Sequence, residues 1–280
     1  MPAGFRGVSW NASTVAIAVT LPTGTVEGDF LVLATESASG QVIAPPTGFT
    51  EAPNSPQDDG ANTRLSVFYK AVGAAEPSVS IADSGDHVNA VLFAFHGVTT
   101  TGLLQTAGAI EGSDNSVTFP VIAEADIRGG DLVLHLAALH DDWIKVTDIT
   151  ANSLALPDQP NVTGLWQSGH GHDGGVLWVF GYSKTGAATD STATLNGNPA
   201  KGLFTLTIEP DPATSNQQVV SRLSFNGFAG KTTEQQISRV GLGAAARSVK
   251  ADEIQVPRLA LAMIVETKNN RRRNYGHFTP

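Results

Sequence analysis

Two short clusters of histidine, aspartate and tryptophan are the residues of this 280-residue chain best suited to chemistry. His140-Asp141-Asp142-Trp143 forms the first cluster, and Trp166 with His170-Gly171-His172-Asp173 forms the second. Flat tryptophan faces can stack on sugar rings, while imidazole and carboxylate groups hydrogen-bond and orient polar ligands. We therefore predict a binding site for a glycan or another partner, made of Trp143, Trp166, His140, Asp142, His170 and Asp173.

Two other chemistries are open to the same clusters. Histidine and aspartate at close spacing can ligate zinc and similar ions, with His135 near in sequence, but polar loops that merely contain histidine are the simpler interpretation. A hydrolase acting on polysaccharides would need the carboxylates of Asp141, Asp142 and Asp173 to converge in a cleft. The chain has no G-x-S-x-G or H-E-x-x-H motif and no complete phosphate-binding G-x-x-x-x-G-K-S/T loop. We expect no bound metal, no cofactor and no enzymatic activity.

Both clusters lie in the second copy of an internal repeat. Gly28-Asp29, which leads into the apolar run 30–34, recurs 102 residues later as Gly130-Asp131 before the run 132–136. A period near 100 residues is the size of a self-sufficient domain rather than of a solenoid unit. Each copy continues with an apolar run, a Gly-Ala-Ala turn and a last apolar run, at 65–70, 73–75 and 90–95 in the first copy and at 176–181, 186–188 and 202–208 in the second.

These patterns predict an all-β protein made of two tandem antiparallel β-sandwich (jelly-roll-like) domains with an extended C-terminal arm. Domain one covers 1–105, domain two covers 106–210, and the arm covers 211–280. Period-2 alternation or continuous apolar runs predict strands in the first copy, and a polar stretch predicts an exposed loop at 53–63. The predicted strands of the first copy are 15–21, 30–34, 65–71, 79–81 and 88–95.

The second copy is longer than the first. From the Gly-Asp turn to Gly-Ala-Ala the spacing is 45 residues in the first copy and 56 in the second. The 11 extra residues fall between Asp141 and Gly175, the stretch that holds both clusters. Insertions in a repeated scaffold usually form loops, and loops on a rigid sandwich often carry binding. Trp178 lies instead within an apolar run and is expected in the core.

Charge is unevenly distributed along the chain. Residues 1–210 hold 7 basic and 21 acidic side chains, a net charge of −14, whereas residues 211–280 hold 10 and 5, a net charge of +5. This imbalance predicts that the arm docks on the acidic body or on a neighbouring copy, which would make the protein a homo-oligomer. Arg271-Arg272-Arg273 is too short a basic run to predict nucleic-acid binding.

The absence of cysteine and of long apolar segments excludes further classes of protein. The chain has no cysteine, so it is neither a disulfide scaffold nor a thiol enzyme. No stretch reaches the roughly 18 apolar residues of a membrane span, and the N-terminal residues lack the apolar core of a secretory signal. We therefore expect no membrane insertion and no signal-dependent export.

The first copy resembles a known β-sandwich module. The resemblance covers residues 12–98, through the stretches 21–34, 45–50, 65–72, 73–77 and 94–98. The module that these residues resemble is found in tail, fibre and head-spike proteins of bacteriophages and of phage-like particles of the gene-transfer-agent type. The second copy matches only at its Gly-Asp strand, its Gly-Ala-Ala turn and its last strand.

The resemblance implies a setting and not a catalytic site, because its motifs are packing and turn motifs. It implies a structural virion protein, such as a spike, fibre or tail component, that assembles with other virion proteins and helps attach to host-surface polysaccharide. Such a protein would be assembled in the host cytoplasm and released by lysis. A free carbohydrate-binding module is the alternative, and a polysaccharide-degrading hydrolase is a weaker one.

Overall fold

The computed structural model describes residues 3–99, 105–123, 126–141, 143–158, 160–167, 174–184 and 191–211. We call the described residues up to 99 the first half and those from 105 to 211 the second half. The predicted arm lies outside the described residues except for Asp211. The regular structure is built from antiparallel β-strands, and no α-helix occurs in the described ranges.

Seventeen strands form the described part of the chain. The first half contains β1 (Gly4–Ser13), β2 (Ile17–Val19), β3 (Phe30–Ala38), β4 (Thr50–Glu51), β5 (Gln57–Asp58), β6 (Thr63–Ala71), β7 (Val79–Ile81) and β8 (Val88–His96). The second half contains β9 (Gln105–Glu111), β10 (Ser116–Thr118), β11 (Leu132–Leu139), β12 (Val146–Thr150), β13 (Leu154–Ala155), β14 (Thr163–Gln167), β15 (Gly175–Ser183), β16 (Thr192–Leu195) and β17 (Lys201–Ile208).

Each half has one large sheet and one small sheet. The first large sheet has the order β1-β8-β3-β6-β4, with β5 also paired to β6, and the second has the order β9-β17-β11-β15-β13, with β14 also paired to β15. The two large sheets therefore share one strand order along the chain. The small sheets differ, because the first is the pair β2-β7 and the second is β10-β16-β12. Strand β12 has no counterpart in the first half.

The Gly-Asp turns of the two halves are equivalent in detail. Gly28 and Gly130 both have positive φ, +85° and +97°, which favours glycine because a Cβ is strained there. The carboxylate of Asp29 accepts a hydrogen bond from the Val26 N–H at 2.9 Å, as the carboxylate of Asp131 does from the Arg128 N–H at 2.8 Å. The Gly-Asp repeat of the sequence thus corresponds to two equivalent turns, each capped by its aspartate.

The four sheets stack in layers with three apolar cores. The central core lies between the two large sheets and joins Phe30, Phe93 and Phe95 of the first half to Trp178 and Phe180 of the second. Each outer core lies between a large sheet and its own small sheet. The two halves thus share an apolar interior. Strands β3, β8 and β11 are each covered on both faces. This explains why those strands read as continuous apolar runs in the sequence.

Most strand predictions are confirmed. The runs 30–34, 65–71, 79–81 and 88–95 all lie within strands, and Trp178 is buried as expected. The strand predicted at 15–21 is shorter, Ile17–Val19. The polar stretch 53–63 contains the two-residue strand β5 as well as loop. Two long strands, β1 and β9, were missed because their exposed and half-buried residues have little apolar periodicity.

The prediction of a loop insertion in the second half is wrong in part. The stretch 141–175 contributes β12, β13 and β14: β12 pairs with the distant strand β16, and β13 and β14 pair with β15, the strand that directly follows β14. Strand β12 is held by a partner far along the chain rather than by local propensity, so no local pattern predicts it. In the described ranges, no helix has the length and apolar content needed to cross a membrane.

Candidate functional site

Strands β12 and β14 of the second half border an open groove. It lies between β12, the edge strand of the second small sheet, and β14, at the edge of the second large sheet, and its volume is about 940 Å³. The groove is lined by Ile144, Lys145, Val146, Thr147, Asp148, Ile149, Thr163, Gly164, Leu165, Trp166, Gln167 and Leu177. A volume of this size is in the range of small-molecule and peptide sites.

The floor and the rim of the groove differ in chemistry. Ile144, Leu165 and Leu177 belong to or pack against the outer core of the second half, so the floor is apolar. The rim carries hydroxyl and amide groups, and its charged side chains are Lys145 and Asp148. The groove is therefore close to neutral in a body that is strongly acidic. Such a lining suits a neutral ligand that has both apolar and hydrogen-bonding groups.

Trp143 directly precedes the groove residue Ile144 in the sequence and is unusual in two respects. Its side chain is 71% exposed, the largest value among the exposed large hydrophobic residues of the described ranges. Its backbone has a φ of +62°, a left-handed conformation that costs a bulky residue about 1–2 kcal/mol. Residues held in sparsely populated backbone conformations cluster at active sites and ligand-binding segments.

Trp166 is placed differently. Its ring stacks near that of Trp10 from the first half, with ring centroids 5.4 Å apart, and Trp10 in turn lies 6.2 Å from Trp178. Trp166 is half-buried, and its indole Nε1–H has no acceptor among the described residues. The predicted stacking of Trp166 on a ligand stays a prediction, and the contact found for its ring joins the two halves.

Of the remaining predicted residues, only His140 is described. His140 is half-buried at the end of β11, and its backbone N–H donates to the carbonyl of Ala200 at 3.1 Å. Its Nδ1 is buried and has no hydrogen-bond partner among the described residues. Asp142, His170 and Asp173 lie outside the described residues. The structure therefore leaves untested whether the two clusters converge.

Few of the side chains that a metal site or a hydrolase would need lie among the described residues. No group of three or more histidine, aspartate or glutamate side chains that could hold a metal ion occurs in the described ranges. His135 is fully buried on β11, where it stacks on Phe119, and its Nδ1 lies 2.8 Å from the hydroxyl of Thr205. Burial lowers the pKa of His135 to about 3, which keeps the ring neutral. His135 is therefore a core residue and not part of a loop cluster.

A buried polar cluster in the first half was missed by sequence reasoning. Glu36 on β3 is fully buried, and its carboxylate accepts hydrogen bonds from Thr63 Oγ1 at 3.0 Å and Asn89 Nδ2 at 2.8 Å. His87 Nε2 lies 3.1 Å from the same carboxylate. Burial raises the pKa of Glu36 although these partners oppose the shift. A glutamate two residues after the apolar run 30–34 was the available signal.

This cluster lies where the two halves meet. A Cβ added to Gly174 of the second half would lie 2.5 Å from Oε2 of Glu36, so the backbone there approaches the carboxylate closely. Gly174 has a φ of +120°, which only glycine adopts readily. The cluster fills the polar end of the interface between the two large sheets, and its groups are used in internal contacts.

Comparison of the chain with family models, curated proteins and solved structures found no match.

Proposed function

We propose that the chain is a non-catalytic structural protein of a phage or phage-like particle, a spike, fibre or tail component that assembles with other virion proteins. In this role it binds host-surface glycans through the region of Trp143 and the adjacent groove. The setting is drawn from the resemblance of residues 12–98 to the phage module. It implies assembly in the host cytoplasm and release by lysis.

The observation that carries the glycan part is the exposed, strained Trp143, which directly precedes Ile144 of a nearly neutral groove in sequence. A tryptophan ring offers a flat face for a sugar ring, and the hydroxyl and amide groups of the rim can bond sugar hydroxyls. Removing an aromatic ring from water on binding is favourable because its apolar surface is buried. A weak site of this kind is effective on a particle, because repetition raises avidity.

The finer architecture is part of the proposal. We take the two halves as tandem β-sandwich domains of one repeat, supported by the common strand order of the large sheets. We take residues 211–280 as a basic arm that fixes each copy to its neighbours, supported by the charge imbalance of the sequence. Truncation after residue 211 should then reduce assembly while the body stays folded.

Replacing Trp143 tests the glycan part. Trp143→Ala should abolish binding of the full chain to an array of bacterial surface polysaccharides, whereas Trp143→Phe should keep part of it because a flat ring remains. Val42→Ala, at another exposed apolar residue of the first half, is the matched control and should bind like the unmodified chain. Equal binding by the Ala and Phe variants would contradict a stacking role. Immunogold labelling of purified particles with an antibody to the chain separately tests the virion setting.

A further inference from the structure

The four long edges of the two large sheets are not equally protected. An edge strand exposes unpaired N–H and C=O groups, and proteins normally cover such edges or interrupt them with proline, charge or bulges. The edges of the large sheets are β1 and the β4/β5 segment in the first half and β9 and the β13/β14 segment in the second. Whether each edge is covered or interrupted shows which one can accept another strand.

Two of these edges cover each other. The amide Nδ2 of Asn54, between β4 and β5, donates to the carbonyl of Thr106 on β9 at 2.9 Å, and the hydroxyl of Thr106 donates to the carbonyl of Pro53 at 2.8 Å. The β4/β5 edge is also interrupted by Pro53 and Pro56. A third edge, β1, has a register shift between Phe5 and Gly7. Each of these edges therefore has a feature that disfavours pairing with a new strand.

Among the described residues, strand β14 has none of these features. Its five residues, Thr163–Gln167, include no charge and no proline, and they pair with β15 in unbroken register. Phe180 N–H donates to the carbonyl of Val162, so alternation turns the backbone groups of Thr163, Leu165 and Gln167 away from β15. In the first half the same edge is the broken β4/β5 segment. The second half thus replaces a protected edge by a continuous, uncharged one.

The charge of the body favours one occupant for this edge. Residues 1–210 carry a net charge of −14, so two copies repel over most of their surfaces. The β14 edge is uncharged, and pairing it with an identical strand places no like charges opposite each other. We propose that β14 of one copy pairs antiparallel with β14 of a second copy about a twofold axis, with Leu165 at the centre. The two second large sheets then form one continuous sheet.

The twofold pairing makes a specific residue contact. With Leu165 opposite its own symmetry mate, Thr163 of each copy lies opposite Gln167 of the other, on the same face of the joined sheet. The interface is isologous, the most common arrangement in homo-oligomers. This inference deepens the homo-oligomer part of the proposed function by naming the contact. It does not rest on Trp143, although β14 also lines the proposed glycan groove.

Charge substitutions at these two positions test the pairing. Thr163→Lys with Gln167→Lys places like charges opposite each other across the axis, and light scattering after gel filtration should show the molecular mass of the full chain halved relative to the unmodified protein. Thr163→Lys with Gln167→Glu places opposite charges there and should keep the unmodified mass. Ser80→Lys with Thr118→Lys adds the same two lysines at exposed strand positions and should also keep it.

Circular dichroism of each variant establishes that it is folded before its mass is compared. A monomeric unmodified chain, or an equal mass for all variants, overturns the proposal. Dissociation of both the Lys/Lys and the Lys/Glu variants also overturns it, because the effect would then not depend on the twofold register. Loss of glycan binding with unchanged mass in both β14 variants would assign the edge to a glycan instead. Failure of the Trp143→Ala experiment leaves the mass result unaffected, so the two proposals fail separately.

Discussion

Nε2 of His87 lies 3.1 Å from the carboxylate of Glu36, and both side chains are buried at the junction of the two halves. Glu36 also accepts hydrogen bonds from Thr63 and Asn89, and His87 lies 3.7 Å from the exposed carboxylate of Asp86. A buried carboxylate is costly unless it is paired and hydrogen-bonded. This cluster therefore links the stability of the interface to pH.

Glu36 should make the protein less stable as pH rises. Its folded-state pKa is raised above 4.5 by burial, so the folded state binds a proton more tightly than the unfolded state. The stability it contributes is present below pH 4.5 and is lost as pH rises through the folded pKa. Glu36→Gln should remove this dependence, measured by urea unfolding from about pH 4 to about pH 8. Glu27→Gln, at an exposed carboxylate, is the control, and a Glu36→Gln curve parallel to it would contradict the prediction.

His135 should act in the opposite direction. Its folded-state pKa is lowered to about 3 from an ordinary value of 6.5, so the unfolded state binds the proton more tightly. The stability it contributes is present above pH 6.5 and falls by up to about 1.4 kcal/mol per pH unit as pH drops toward 3. His135→Leu should flatten this acid limb. Thr205→Val removes the hydroxyl partner but keeps the ring, so its acid limb should stay steep; a steep limb in His135→Leu would refute the assignment.

The two Gly-Asp turns should respond alike to alanine. An added Cβ meets no atom within 4 Å at Gly28 or Gly130, so the cost of Gly28→Ala or Gly130→Ala comes from the positive φ alone. Each change should lower the free energy of unfolding by about 1–2 kcal/mol. Gly112 has equally open space but no left-handed φ, so Gly112→Ala should change stability by less than about 0.5 kcal/mol. Unfolding in urea measures all three, and a costly Gly112→Ala would show that φ is not the cause.

The sequence by itself determined the all-β class, the central strands and the Gly-Asp turns. These features are local: strands such as β3 and β11 are covered on both faces and so appear as apolar runs, and the glycine and aspartate of each turn act within a few residues. The 11 extra residues of the second copy also marked the stretch that builds the groove. The sequence shows how many residues are added, but it does not show which conformation they take.

Only the tertiary structure decided what those residues form and what faces them. Strand β12 exists because β16, far along the chain, offers it hydrogen-bonding partners, whereas β14 forms a hairpin with β15, the strand that follows it. The contact of Trp166 with Trp10 and the approach of Gly174 to Glu36 join residues more than 130 positions apart. The packing of one large sheet on the other creates both, and a pattern read along one chain carries no information about which faces will meet.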